Sequence, residues 1–98
     1  MSAMVGGTGE VREPDENIHQ ITREIKNEVQ SKTGLLFEEF VPLKYRSQLV
    51  NGTNYFIKVK YGPNQHMHLR VHRSFQGAVT LAAFQLDKTL EDELEYFQ

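Results

Sequence analysis

Ninety-eight residues are enough for one domain with one core, since a chain of this size buries roughly 60–70% of its unfolded surface. The chain is 39% hydrophobic and 24% charged with a net charge of −2, and it has no apolar run near the roughly 20 residues of a membrane span; this excludes disordered and membrane-spanning classes and disfavours nucleic-acid binding driven by counterion release. Cysteine is absent, which removes disulfide frameworks, thiolate metal sites and thiol nucleophiles together.

Residues 1–13 carry Gly6, Gly7 and Gly9 among small and charged residues, and they read as a flexible N-terminal arm of a single domain spanning residues 1–98. The first ten residues, MSAMVGGTGE, hold neither the basic flank nor the apolar block of a signal peptide. With the lack of cysteine, this predicts a cytoplasmic protein. Pro14 suits the first turn of a helix, and Asp15 and Glu16 suit the positive end of its dipole. Ile18, Ile21, Ile25 and Val29 then recur at helical spacing as one apolar stripe. Lys32 and Gly34 read as the helix's C-terminal signals.

After Gly34 the period falls to two, and the alternation from Leu35 to Arg46 predicts one long strand. Pro42 cannot donate to a ladder, so it marks an edge position or a bulge. The stretch Gln48-Leu49-Val50-Asn51-Gly52 follows. An Asn-Gly pair between apolar runs is a hairpin signal; Leu49 and Val50 beside it are either ordinary strand ends or an apolar tip. Tyr55 to Tyr61 forms a second alternating run, Gly62-Pro63-Asn64 a turn, Met67 to His72 a third run, and Val79 to Leu86 a fourth after Gly77. One helix and four short-looped strands predict an α+β domain: a curved antiparallel sheet wrapped on the helix by one face, with the other face in water.

His66, His68 and His72 share one strand face. Arg70 stands on the same face and Lys58 and Lys60 on the neighbouring run, so a divalent cation would be repelled and no metal site is expected. The same basic face lacks the wider stripe of arginine and aromatics that RNA would need. Enzymatic chemistry finds no support. Ser31, Ser47 and Ser74 lie in no nucleophile-elbow motif, the acidic C-terminal run reads as a solvated face, and Gly6-Gly7-Thr8-Gly9 does not join a strand to a helix as a phosphate loop must. No cofactor is implied.

Gln48 to Gly52 fits Gln-x-Val-x-Gly, and with TNYFIKV after it, HLRV at residues 68–71, DELEYF at residues 92–97 and the early Gly6-Gly7 the chain resembles the cystatins, in particular the intracellular stefin branch. The resemblance covers about the whole domain and implies a long helix gripped by an antiparallel sheet. It also implies a reversible, tight-binding, competitive inhibitor of papain-like cysteine proteases, the cathepsins L, B, H or S among them. Three elements would then enter the protease cleft: the arm with Val5, Gly6 and Gly7; a first loop of Gln48, Leu49, Val50, Asn51 and Gly52; and a second loop in which Phe75 and Gln76 stand where stefins usually carry Leu-Pro. Val5 would enter a non-primed subsite, and Gln48 would either satisfy its own hairpin or touch the enzyme. The departure in the second loop leaves a rival reading, a non-inhibitory interaction module of the same fold. Family members are expected as monomers, with a domain-exchanged dimer as the alternative state.

Overall fold

The structure is a computed structural model in which residues 9–97 are described. Helix α1 (Glu16–Thr33) is followed by β1 (Val41–Val50), β2 (Gly52–Gly62), β3 (Gln65–Arg73) and β4 (Val79–Lys88). The strands pair antiparallel in sequence order, so each neighbour is joined by a hairpin.

The apolar stripe predicted for the helix is the buried one. Ile18, Ile21, Ile25 and Val29 pack on Ile57, Val59, Met67, Leu69, Val71 and Leu81 from the inner sheet face. Thr22 lies in the same buried row because its hydroxyl donates to the Ile18 carbonyl at 2.7 Å. The start differs from expectation by one step. Asp15 is the N-cap, its carboxylate accepting from the Ile18 N–H at 2.9 Å, so Pro14 precedes the cap instead of occupying the first turn. Gly34 closes the helix with φ 77° and donates its N–H to the Gln30 carbonyl.

The long first strand is also corrected. Pairing begins at Val41, opposite Lys60, with a bulge between Pro42 and Lys44 as the proline foretold. Residues 35–40 alternate in sequence but have no partner, because β2 ends at Gly62 and turns into β3. That segment instead buries Phe37, which stacks on Phe40 and meets Tyr61 edge-on, while its N–H donates to the Gln30 side chain. Leu36 is left 88% exposed.

The outer sheet face is not in water, contrary to the expected one-sided sheet. The C-terminal segment, residues 89–97, crosses it as a strap. Lys58 is buried there, and its ammonium donates to the carbonyl oxygens of Thr89, Leu90 (2.8 Å) and Asp92 (2.7 Å). Leu94 is buried, and Tyr96 and Phe97 lie against the Phe56 ring. Burial holds the Lys58 amine below its ordinary value, opposed by the Asp92 carboxylate.

Under the strap lie His66 and His68, both buried, with His66 Nδ1 and His68 Nε2 making no hydrogen bond among the described residues. Burial, and then the Lys58 charge, push His68 down to about 4 from the ordinary 6.5. His68 is therefore neutral in the fold at pH 7 and takes up a proton more readily when unfolded. The stability held above the unfolded value is lost as pH falls from about 6.5 towards 4. After allowance for solvent screening this amounts to about 1–2 kcal/mol between pH 7 and pH 5. Thermal unfolding at the two pH values should differ by roughly 5–10 °C, and His68→Gln should remove most of the difference. An unchanged midpoint in the native chain would show that His68 keeps an ordinary affinity for protons.

Candidate functional site

The antiparallel order brings two hairpin tips to one end of the sheet. Thr53 pairs with Arg73, so the turn at Asn51 before β2 and the turn from Ser74 after β3 lie side by side. The chain before the helix runs towards the same end. Arg12 exchanges two backbone hydrogen bonds with Tyr45, and three residues earlier the Gly9 N–H donates to the Ser47 carbonyl at 2.7 Å. From Arg12 back to Gly9 the chain thus follows β1 towards Val50. Val5, Gly6 and Gly7 lie outside the described residues.

In the first hairpin Val50 pairs with Gly52, leaving Asn51 alone at the tip. The turn is one residue tighter than the two-residue Asn-Gly loop of the sequence reading. Leu49 and Val50 are indeed the last residues of a strand, yet Leu49 is 82% and Val50 42% exposed. Both earlier alternatives describe them: strand by backbone, apolar tip by side chain.

Gly52 is fixed by two constraints. Its φ is 96°, outside the range other residues adopt readily, and a Cβ built there would lie 2.5 Å from the Arg73 carbonyl oxygen and 2.8 Å from His72 Nε2. That imidazole stands so close because His72 Nε2 lies 2.7 Å from the Asn51 carbonyl oxygen. A carbonyl oxygen only accepts, so Nε2 carries the proton and donates. His72 thus latches the tip from β3. Spacing alone had grouped it with His66 and His68; its separate work came from the neighbouring hairpin, which no periodicity records.

Gln48 faces inward. It is buried, and its side-chain oxygen accepts from Asn54 Nδ2 at 3.0 Å. Gln48, Asn54 and His72 occupy one row across β1, β2 and β3, a polar brace beneath the tip. Of the two roles left open for Gln48, its side chain performs the one within the hairpin.

The second hairpin is a tight turn. Ser74 N–H donates to the Ala78 carbonyl, Gly77 N–H to the Ser74 carbonyl, and the Ser74 hydroxyl accepts from the Ala78 N–H at 3.1 Å. Gly77 has φ 95°, as the turn requires. With its base tied in this way, the turn puts Phe75 at the tip, 78% exposed, with Gln76 exposed beside it. Two exposed apolar tips thus stand on adjacent hairpins at one end of the sheet. A groove of about 740 Å³ lined by Leu43, His66 and Leu90 lies near the β2–β3 turn, at the opposite end of the sheet.

The cystatin domain model matches residues 6–92. The chain belongs to the cystatin family. Among its relatives, cystatin-A2 of Dictyostelium discoideum is 40% identical over 95% of this chain and 97% of its own length. Leukocyte cysteine proteinase inhibitor 1 of Sus scrofa is 39% identical over 96% and 94%, and cystatin-B of Oplegnathus fasciatus is 36% identical over 99% and 100%. These full-length matches to A- and B-type members put this cystatin in the stefin branch. As in the resemblance drawn from sequence, the fold is one helix on an antiparallel sheet, and the Gln-x-Val-x-Gly stretch is the tip of the first hairpin.

Proposed function

We propose that this cystatin is a reversible, tight-binding inhibitor of papain-like cysteine proteases, with the two hairpin tips and the arm entering the active-site cleft. The observation that carries this reading is the pair of exposed apolar tips, Leu49 and Phe75, on adjacent hairpins at one end of the sheet. Membership of the family and a relative named as a cysteine proteinase inhibitor support it.

A cleft built to bind peptides offers apolar subsites, and each Å² of apolar surface removed from water contributes about 25 cal/mol. Association entropy opposes this gain. The cystatin lowers that cost because its tips are ordered before binding: the first by Gly52, His72 and the Gln48–Asn54 pair, the second by the Ser74–Ala78 bonds. In this reading Leu49, Val50 and Phe75 supply apolar contact, with Asn51 and Gln76 flanking them. Gly52 keeps the tip narrow. Val5 enters a non-primed subsite, and Gly6 and Gly7 let the arm pass the catalytic centre without presenting a scissile peptide bond. Gln48 contributes through the shape of the hairpin. The targets are cathepsins of the L, B, H and S kind, met in the cytoplasm by a monomeric inhibitor. No helix among the described residues is long and apolar enough to cross a membrane.

Leu49→Glu tests the first tip. Leu49 is largely exposed, so the substitution should leave thermal stability within about 0.5 kcal/mol. It forfeits apolar burial and places a charge in the cleft, so the inhibition constant for papain should rise about 100-fold. Inhibition equal to that of the native chain would remove the first hairpin from the contact.

A further inference from the structure

Arg46 on β1 stands where the arm, the sheet and the C-terminal strap meet. Its Nε donates to the Gly9 carbonyl at 2.6 Å, and a terminal nitrogen donates to the Leu94 carbonyl at 3.0 Å. The Gly9 N–H is held in turn by the carbonyl of Ser47, the next residue along β1. Both backbone groups of Gly9 are therefore tied to two consecutive residues of one strand. The strap shares the same guanidinium, and Leu94 is itself buried on the sheet. Among the described residues Arg46 forms no ion pair, and both of its hydrogen bonds go to main-chain oxygens. A planar guanidinium holds two acceptors in fixed relation, which a lysine ammonium on a flexible stem does not.

We propose that Arg46 is a positioning residue for the inhibitory arm. It clamps Gly9 against β1 and braces that clamp on the strap, and so fixes the point to which the arm is attached. The proposal rests on the inhibitor reading above. Its consequence is that the strap takes part in inhibition without itself touching the enzyme: the buried Leu94 fixes the carbonyl that fixes Arg46, and Arg46 fixes the root of the arm. An arm whose root is fixed gives up less freedom on binding, which appears chiefly as slower dissociation.

The test is a double-substitution cycle on full-length chains, with inhibition of papain as the readout. Arg46→Met keeps the apolar stem and removes both donors. Alone, it should raise the inhibition constant about tenfold, mostly through faster dissociation. In a chain whose arm is already disabled by Gly6→Glu, the same substitution should change the constant less than about twofold. Arg46→Lys should fall between native and Arg46→Met, and it carries the same cycle if Arg46→Met does not fold. Equal losses in both backgrounds would show that Arg46 acts on the fold or the hairpins and would overturn the proposal, as would no loss from Arg46→Met. If Gly6→Glu inhibits like the native chain, the arm is not part of the contact and the proposal fails with it. If the native chain does not inhibit papain at all, the failure belongs to the inhibitor reading itself.

Discussion

Replacing Gly52 with alanine is expected to lower unfolding stability by about 2–4 kcal/mol, the combined cost of positive φ and of forcing a methyl group against backbone. The added carbon would meet the Arg73 carbonyl oxygen at 2.5 Å, and main chain cannot swing aside as a flexible side chain can. It would also press on the His72 ring, which must then release the Asn51 carbonyl. Inhibition should fall by more than the stability change alone accounts for, because the folded population that remains has a displaced tip. Urea denaturation and papain inhibition measured on the same preparation separate the two effects. If His72→Phe, which removes the latch but adds no atom at residue 52, reproduces part of the inhibitory loss with little change in stability, the latch itself shapes the tip. An alanine variant as stable and as potent as the native chain would mean that the hairpin relaxes without cost.

Lys58→Met is expected to cost about 2–4 kcal/mol, because three strap carbonyls lose one charged donor together. The methionine fills similar space but satisfies none of the oxygens of Thr89, Leu90 and Asp92. They would regain partners only by turning out to water, which lifts the strap from Phe56. Hydrogen exchange should report this locally. The backbone N–H groups of Thr89 and Asp92 bond to each other's side chains within the strap, and their protection should fall before that of β2 and β3. A uniform loss of protection across the sheet would instead make Lys58 part of the global core. The same opening should dampen the acid sensitivity assigned to His68, since burial is the first cause of its low affinity for protons.

The features legible in the sequence were those in which a local pattern and its tertiary use agree. The stripe of Ile18, Ile21, Ile25 and Val29 declares a helix with one buried face, and that face is the one buried. Tyr55 to Tyr61 and Met67 to His72 alternate cleanly, and each has a partner on both sides. Residues 35–40 show the opposite case. Their alternation, already irregular at Glu39, suggested a strand, but a strand needs a neighbour, and the turn at Gly62 to Gln65 withdraws it.

The strap was hidden for a related reason. Glu91 to Glu95 read as a charged run, although the buried Leu94 and the rings of Tyr96 and Phe97 are what the sheet uses. One signal was present: Phe56 stands two residues before Lys58 on the face that also carries His66 and His68, and a large apolar ring on that face needs cover where the polar groups alone would not. At the tip, the apolar residues beside the Asn-Gly pair pointed to Leu49 and Gly52, and the family resemblance to Phe75. The roles of Gln48, His72 and Arg46 depend on partners 6, 21 and 37 residues away in sequence, and a reading by spacing cannot supply them.

The central claim is that the apolar tips occupy a protease cleft. Titration of active papain with the native chain at several concentrations of a peptide substrate tests it most directly. The account predicts stoichiometric, reversible inhibition whose apparent constant rises in proportion to substrate, with the inhibitor recovered uncleaved. Inhibition independent of substrate concentration, or none at micromolar chain, would contradict it.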